Sequence, residues 1–531
     1  MEAKKDSAFW RGAIILTAAS IIVKILSAFY RIPYQNIVGD VGFYIYQQVY
    51  PFYGICLILS VYGFPIIISK MIAEHREKGE YTQANEVIFV SFWFLTILGC
   101  IAFLSLYLGA PFIAGAMGDS GLVKLLRMVS FSYLFMPFIS VVRGYFQGLE
   151  EMLPTAISQI IEQSVRVIVI VSVSILFVSQ GFDLYDVGTG AVFGAVAGAV
   201  GSIIVLAFFM RPHMQATLLR RWKNAFAKRT IVKVVFWQGI FICITNLVLI
   251  LIQLIDSVSL YSFLLQAGEN AHEAKVIKGV YDRAIPLMQL GTIVATSFSL
   301  SLIPIITTAI QRKNGSFIKE KVNLAMKITL VIGLAATAGL VCIVRPVNIM
   351  LFENADGSNV IAILALSIVF SAISITTASI LQGMGKMLEP AFFVIGGIFV
   401  KYGGNALLIP FMGIKGAAIA TVLALAIIAL VNSVYLYSVL GDTIVKRKNV
   451  RHIIICNFLM VAALLLYIKA VEGIFIVESF SRSIFAVEAL TSVIVGGIVY
   501  LFFIFKLNVF TEEELGNVFK NKRINAFLKK I

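Results

Sequence analysis

Charge is what this chain is short of. Of its 531 residues only 13% are Asp, Glu, Lys or Arg, against 60% hydrophobic, and the mean hydropathy is +0.94. Soluble domains carry roughly 25% charged residues, so the composition excludes a soluble globular chain and leaves an integral membrane protein. Histidine is scarcer still: His75, His213, His272 and His452 all fall in expected loops or at span ends. That excludes a histidine proton relay or metal cluster within the membrane. The five cysteines, Cys56, Cys100, Cys243, Cys342 and Cys456, lie in apolar runs at wide, irregular spacing. They match neither zinc-site nor disulfide spacing and read as small packing residues. No Gly-x-x-x-x-Gly-Lys-Ser/Thr phosphate loop occurs, so the chain carries no ATPase module of its own. The longest polar stretch is a basic linker rather than a catalytic domain, so no enzymatic activity and no cofactor are expected. No small-residue cleavage site follows the opening cations Lys4, Lys5 and Arg11, and the first apolar segment is expected to remain as a span.

Long apolar runs are what the chain has instead. Segments of about 20 residues or more, enough to cross hydrocarbon as helix, occur at 11–32, 42–69, 86–109, 122–146, 155–179, 187–210 and 232–262. They continue at 280–309, 322–345, 359–382, 390–410, 413–438, 452–471 and 483–506. The expected fold is therefore all-α, with about fourteen transmembrane helices. The net charge of +15 concentrates in alternate loops, around Arg76 and Lys78, Arg220 to Arg229, Arg312 to Lys321, Lys446 to Arg451, and the tail from Lys520. About 28 Lys or Arg flank one side and about half a dozen the other, which puts both termini in the cytoplasm by the positive-inside rule. The same rule accounts for the basic balance, and no nucleic-acid partner is expected.

The chain also repeats itself. Phe9-Trp10-Arg11-Gly12 and Phe236-Trp237-Gln238-Gly239 open spans one and seven. Gly42, Tyr44 and Pro51 correspond to Gly279, Tyr281 and Pro286, and Pro65-Ile66-Ile67 to Pro304-Ile305-Ile306. Phe146-Gln147-Gly148 with Pro154 matches Leu381-Gln382-Gly383 with Pro390. Each offset is six spans with their loops, an even number, so the halves are parallel repeats with a site expected between them. The expected division is 1–210 as the N-terminal lobe and 211–231 as a basic cytoplasmic linker. The C-terminal lobe follows at 232–438, and 439–531 adds two spans and a basic tail.

The few charges inside spans carry the functional argument. Lys24 and Arg31 are seven apart, two helical turns, and so project from one face of span one. A cation near mid-membrane costs at least ~3 kcal/mol, so that face is expected to look into a wet or protein-lined cavity and to meet an anionic substrate; Arg31, nearer the end, could instead snorkel. Arg166 and Lys401 are equivalent in the repeat and both fall near mid-membrane. Glu162, one turn before Arg166, could neutralise it, whereas Lys401 has only Asn405 one turn on and no acid in its own span. Asp256, Asp282 and Arg283 could form a local ion cluster, and Arg143 reads as a loop anchor. The tyrosines of Tyr44-Ile45-Tyr46-Gln47-Gln48-Val49-Tyr50 suit an interfacial aromatic belt; the amides of Gln47 and Gln48 are not explained by one.

Lys24-Ile25-Leu26, Tyr30-Arg31-Ile32-Pro33, Tyr50-Pro51-Phe52-Tyr53-Gly54 and Gly63-Phe64-Pro65-Ile66-Ile67-Ile68-Ser69-Lys70 carry a resemblance. The chain resembles the stage V sporulation protein B-like polysaccharide transporters of the multidrug, oligosaccharidyl-lipid and polysaccharide exporter superfamily, related to the MurJ lipid II flippases. The resemblance implies two six-helix lobes in a V plus two C-terminal helices. It also implies alternating access about a cationic cavity, and an undecaprenyl-pyrophosphate-linked saccharide moved from inner to outer leaflet of the bacterial cell membrane. In such proteins span-one cations and an Ala-Asp-Arg motif opening span eight line the cavity; Lys24, Arg31 and Tyr281-Asp282-Arg283 stand in those places. A further cavity arginine near the start of span two has no counterpart, since Gln47, Gln48 and Pro51 stand there. A sodium site drawing on spans seven, eleven and twelve is also implied, and Lys401 with Asn405 falls at it; a lysine there would be a built-in cation. Coupling is expected to membrane potential, H+ or Na+. The expected partners are the lipid-linked glycan, membrane lipids and cell-envelope synthesis proteins, with the chain itself a monomer. Two other readings stand beside the flippase: a multidrug exporter, which would need acidic cavity groups such as Asp256, Asp282 or Glu162, and a non-transporting envelope-assembly scaffold.

Overall fold

The computed structural model describes residues 2–213, 229–293, 306–307, 310, 315–441, 445–474, 481–511 and 514, with side chains from Ile15. Most of the expected linker, half of the expected eighth span, and the basic tail beyond Glu514 lie outside the described residues. Among the described residues every regular element is a helix. In chain order the α-helices are α1 Glu2–Phe29, α2 Arg31–Ile58, α3 Phe64–Glu77, α4 Tyr81–Ala116, α5 Val123–Ser130 and α6 Ser132–Gly148. Next come α7 Met152–Ser179, α8 Leu184–Met210, α9 Arg229–Asn246, α10 Val248–Gln266 and α11 Ala271–Asp282. The last are α12 Gly315–Phe352, α13 Ser358–Ala365, α14 Ser367–Gly383, α15 Leu388–Met412, α16 Ile414–Leu440, α17 Arg447–Ile474 and α18 Arg482–Lys506. Twelve helical stretches among the described residues are long and apolar enough to span a membrane, and one of them, Ile15–Glu77, takes in the first two expected spans. The chain is a multi-pass membrane protein.

Span one runs further than its apolar pattern suggested. Tyr30 keeps helical angles (φ −64°, ψ −24°), so α1 passes directly into α2, and the chain turns only at Gly39, where φ is +68°. Lys24, Ser27, Arg31 and Tyr34 thus follow one helical stripe, at i, i+3, i+7 and i+10. Beyond the turn α2 reaches Ile58, then a single π turn, Leu59–Gly63, leads into α3. Such wide turns commonly mark functional segments.

Two compact units result. The first comprises 1–282 with 387–420, the second 283–386 with 421–531. This is not the division at 210 and 232 expected from the repeat, because α9 to α11 and α15 pack with the first six spans. Small residues make that packing possible, as in membrane helix pairs generally. A Cβ on Gly279 of α11 would lie 2.1 Å from the Asp40 carbonyl oxygen, so α11 and α2 touch backbone to backbone. Gly279→Ala is expected to cost about 1–3 kcal/mol through overpacking, read as a lower thermal unfolding midpoint in detergent. An unchanged midpoint would mean that the helices separate there without cost. On α8, Gly198 brings its backbone against the Glu162 carbonyl (2.6 Å to a Cβ built there) and so fixes the α7 turn that carries Arg166.

A polar cluster ties four parts of the first unit together. The buried Asp119 carboxylate accepts from Tyr44 (3.1 Å) on α2 and Tyr185 (2.7 Å) on α8, and pairs with Lys275 (3.2 Å) on α11. The second unit has its own core of Ile306, Val322, Ala325, Met326, Ile380, Leu381 and Leu436. The last two spans, expected as an appendage, are built into it: Tyr500 on α18 donates to the Val331 carbonyl of α12 at 2.8 Å. Glu514, just past α18, pairs with buried Lys327 at 2.7 Å. The five cysteines are unpaired, and Cys100 is exposed rather than packed.

Candidate functional site

The stripe that begins at Lys24 leads to two fully buried guanidinium groups. Arg31, the first residue of α2, is 0% exposed and lies over the Tyr50 ring, 4.3 Å from its centroid. Arg166, mid-way along α7, is 1% exposed and lies over Tyr53 at 4.7 Å. Both also reach the face of one ring, Tyr30, at 5.8 Å and 5.4 Å. Around them the tyrosines form a connected row. Tyr30 and Tyr46 share a hydroxyl hydrogen bond of 2.8 Å, Tyr46 stands 6.2 Å from Tyr50, and Tyr50 stands 6.1 Å from Tyr53. Tyr34 packs on Tyr46 at 4.9 Å. The spacing explains the row: 46, 50 and 53 repeat at i, i+4, i+7 and so share one face of α2. These side chains are buried, not interfacial, which corrects the aromatic-belt expectation. Ring quadrupoles attract cations, and most strongly where water is excluded.

The expected neutraliser of Arg166 is engaged elsewhere. Glu162 accepts from Arg143 Nη2 at 2.7 Å, and Arg143 also donates to Ser158 Oγ and Ser202 Oγ, each at 3.0 Å. Arg143 is therefore a buried ion-pair partner joining α6, α7 and α8, not a loop anchor. Arg166 keeps only Ser27 Oγ, 3.5 Å from Nη2; its Nε and Nη1 have no hydrogen-bond partner among the described residues. The hydroxyls of Tyr34 and Tyr53 and both polar atoms of the Gln47 amide are likewise buried without partners. Gln48 is engaged, donating to the Ser257 carbonyl of α10 at 3.0 Å. Lys24 stands one turn before Ser27 on the stripe and is half-buried.

The remaining expected charges sort differently from the sequence expectation. Asp256 on α10 pairs with Lys401 on α15 at 2.6 Å, accepts from Asn405 at 3.0 Å, and accepts from Tyr281 at 2.9 Å. Asp282 pairs with Lys278, one turn back on α11, at 2.6 Å. Arg283 falls in the second unit, where it donates to Asn354 Oδ1 at 2.6 Å and lies over Phe352 at 5.5 Å. Asp256 and Asp282, both in the first unit, thus each take a lysine partner, Lys401 and Lys278. Lys278 was not singled out from the sequence, although its i, i+4 spacing to Asp282 signalled the pair. Arg143 and Lys275 pair only through tertiary contacts and left no such signal.

The arrangement of Arg31 and Arg166 can bind an anion. Guanidinium offers a planar fork that matches phosphate oxygens, and the Arg166 nitrogens without hydrogen-bond partners among the described residues favour a ligand that supplies acceptors.

Known proteins place this chain in a family. The polysaccharide biosynthesis protein family matches residues 9–310, more than half of the chain. The membrane protein YabM of Bacillus subtilis (strain 168), described as uncharacterized, is 41% identical over 522 residues, spanning 98% of this chain and 97% of that one. The lipid II flippase MurJ of the same organism is 28% identical over 554 residues, 99% of each chain. Its stage V sporulation protein B is 24% identical over 468 residues, 85% of this chain and 88% of that one. The solved structure of lipid II flippase MurJ in an inward closed conformation has the same fold, with a TM-score of 0.68 at 14% identity, covering 93% of this chain and 99% of that one. The resemblance carried by the opening motifs is met along the whole chain, and the protein belongs to the polysaccharide biosynthesis protein family.

Proposed function

We propose that this protein is a flippase that moves an undecaprenyl-pyrophosphate-linked saccharide, lipid II or another cell-envelope precursor, from the inner to the outer leaflet by alternating access. The observation that carries the proposal is Arg166: a fully buried guanidinium with two nitrogens lacking partners, beside Arg31 and a row of tyrosines, while the nearest acid in sequence is committed to Arg143. A buried cation in a membrane segment marks a functional site by default, and a pyrophosphate supplies the charges and acceptor oxygens this one lacks. The tyrosine row offers ring faces and hydroxyls to the adjoining sugar. Both termini then lie in the cytoplasm, and a negative interior drives an anionic headgroup outward.

Support also comes from the relatives, of which one is named a lipid II flippase. The competing multidrug-exporter reading requires free carboxylates for organic cations. Asp256, Asp282 and Glu162 are instead each held by Lys or Arg.

The test is leaflet accessibility. Purified protein reconstituted into vesicles containing lipid II, or another undecaprenyl-pyrophosphate-linked saccharide, is expected to bring the headgroup within reach of an added membrane-impermeant reagent. Vesicles without protein are expected to keep it protected. Efflux of an organic cation such as ethidium with no headgroup movement would instead establish the exporter.

A further inference from the structure

We infer that the Lys401 ammonium, held between the Asp256 carboxylate and the Ala417 carbonyl, is a tethered cation that fills a monovalent-cation position, so that this position takes no free sodium. The resemblance implied a sodium site drawn from spans seven, eleven and twelve. The residues found there are Asp256 and Ser259 on α10, Lys401 and Asn405 on α15, and Ala417 on α16. Their oxygens are the hard donors such an ion takes: a carboxylate, a main-chain carbonyl, a hydroxyl and an amide. Asn405 Oδ1 is buried and has no partner among the described residues.

Sodium nevertheless does not fit, because an ammonium already sits in this set. Lys401 Nζ is 2.6 Å from Asp256 Oδ1 and donates to the Ala417 carbonyl at 2.9 Å. Asn405 Nδ2 donates both to Asp256 Oδ1 at 3.0 Å and to Ser259 Oγ at 2.9 Å, and Tyr281 donates to Asp256 Oδ2 at 2.9 Å. The one carboxylate is thus saturated by three donors. A second cation would stand against Nζ in a medium of low dielectric, where like charges repel strongly. The other charged groups close to this set, Lys278 and Asp282 on α11, neutralise each other at 2.6 Å and offer no spare negative charge.

Tethering changes what the position can do. A free ion can enter on one side of the membrane and leave on the other, whereas Lys401 is fixed to the α15 backbone. The carboxylate is therefore compensated without any gradient. The repeat sharpens the contrast: Lys401 and Arg166 occupy equivalent places, yet one is spent on a carboxylate and the other is left for a ligand. The meaning for coupling rests on the flippase reading, but the occupancy of the position does not.

The test is therefore a binding measurement. The purified full-length chain in detergent is assayed for 22Na+ retention, and for thermal unfolding in NaCl against choline chloride at equal ionic strength. Wild-type protein is expected to retain no sodium and to unfold at the same temperature in both salts. Lys401→Ala opens the position and is expected to retain about one sodium per chain and to unfold later as NaCl rises. Adding Asp256→Asn is expected to abolish that retention, and Lys401→Arg is expected to bind none. Lys401→Ser serves should the alanine variant fail to fold, and a variant that folds only in NaCl supports the inference. Sodium retention by wild-type protein that Asp256→Asn removes would overturn it, as would a folded Lys401→Ala chain that binds none. If neither variant folds in either salt, the wild-type measurement decides. Neither readout involves transport, so this result and the failure of the flippase reading are separable.

Discussion

On the proposed flippase function, Arg166→Gln is expected to lower the rate of headgroup translocation by about a hundredfold while the thermal unfolding midpoint stays level or rises. Truncating one partner of a buried, hydrogen-bonded charge pair costs about 2–5 kcal/mol, and each 1.4 kcal/mol is a factor of ten. On that proposal the cost falls only when the pyrophosphate is bound, because Arg166 has no carboxylate within ion-pairing distance among the described residues. Without the ligand its burial is a burden to the fold, and an uncharged side chain of similar length relieves it. The two readouts therefore move in different directions. Arg166→Lys keeps the charge but loses the planar fork, so its rate is expected to fall between those of wild type and Arg166→Gln. Leaflet accessibility in reconstituted vesicles measures the rate, and unfolding in detergent measures the midpoint. Wild-type translocation by Arg166→Gln would remove the guanidinium from the mechanism, and a parallel collapse of the midpoint would make its role structural.

Arg143→Ala has the opposite signature. It strands the Glu162 carboxylate, which is nine-tenths buried and keeps no other cation among the described residues. Breaking such a pair by removing one partner costs about 3–5 kcal/mol, whereas replacing both partners with apolar residues is often neutral. The unfolding midpoint of Arg143→Ala is thus expected to drop sharply, and Arg143→Met with Glu162→Met to recover most of the loss. If the double variant is as unstable as the single one, the charges themselves are required there. The comparison with Arg166→Gln is informative because the two arginines are equally buried and only one has an acid.

The physical basis of that difference explains where reading the sequence failed. Glu162 and Arg166 are one turn apart, and i, i+4 spacing makes a pair possible. Pairing also requires that both side chains turn to the same neighbour. Gly198 seats α8 against the Glu162–Arg166 turn, Ser158 and Ser202 complete the shell of Arg143, and the carboxylate follows them. Arg166 points instead to Tyr30, at the junction of α1 and α2, and Tyr53 on α2, more than a hundred residues earlier. Lys401 is the converse case: its span holds no acid, and Asp256 comes from α10. The tyrosines of α2 were legible as a cluster but not as a buried one, since an aromatic belt and an aromatic cage have the same composition.

What the sequence by itself determined is the class of the molecule, an all-helical chain with many membrane-crossing segments, and the positions of its costly cations. Each follows from the preference of a residue type for water or hydrocarbon, summed over a window of about twenty residues, and needs no knowledge of neighbours. The tertiary structure alone decided which cations are spent. Arg143, Lys278 and Lys401 are matched to carboxylates, while Arg166 lies over the rings of Tyr30 and Tyr53. In low dielectric an ion pair is decided by the last few ångströms of approach, and those are set by helix packing at residues such as Gly198 and Gly279 rather than by separation along the chain.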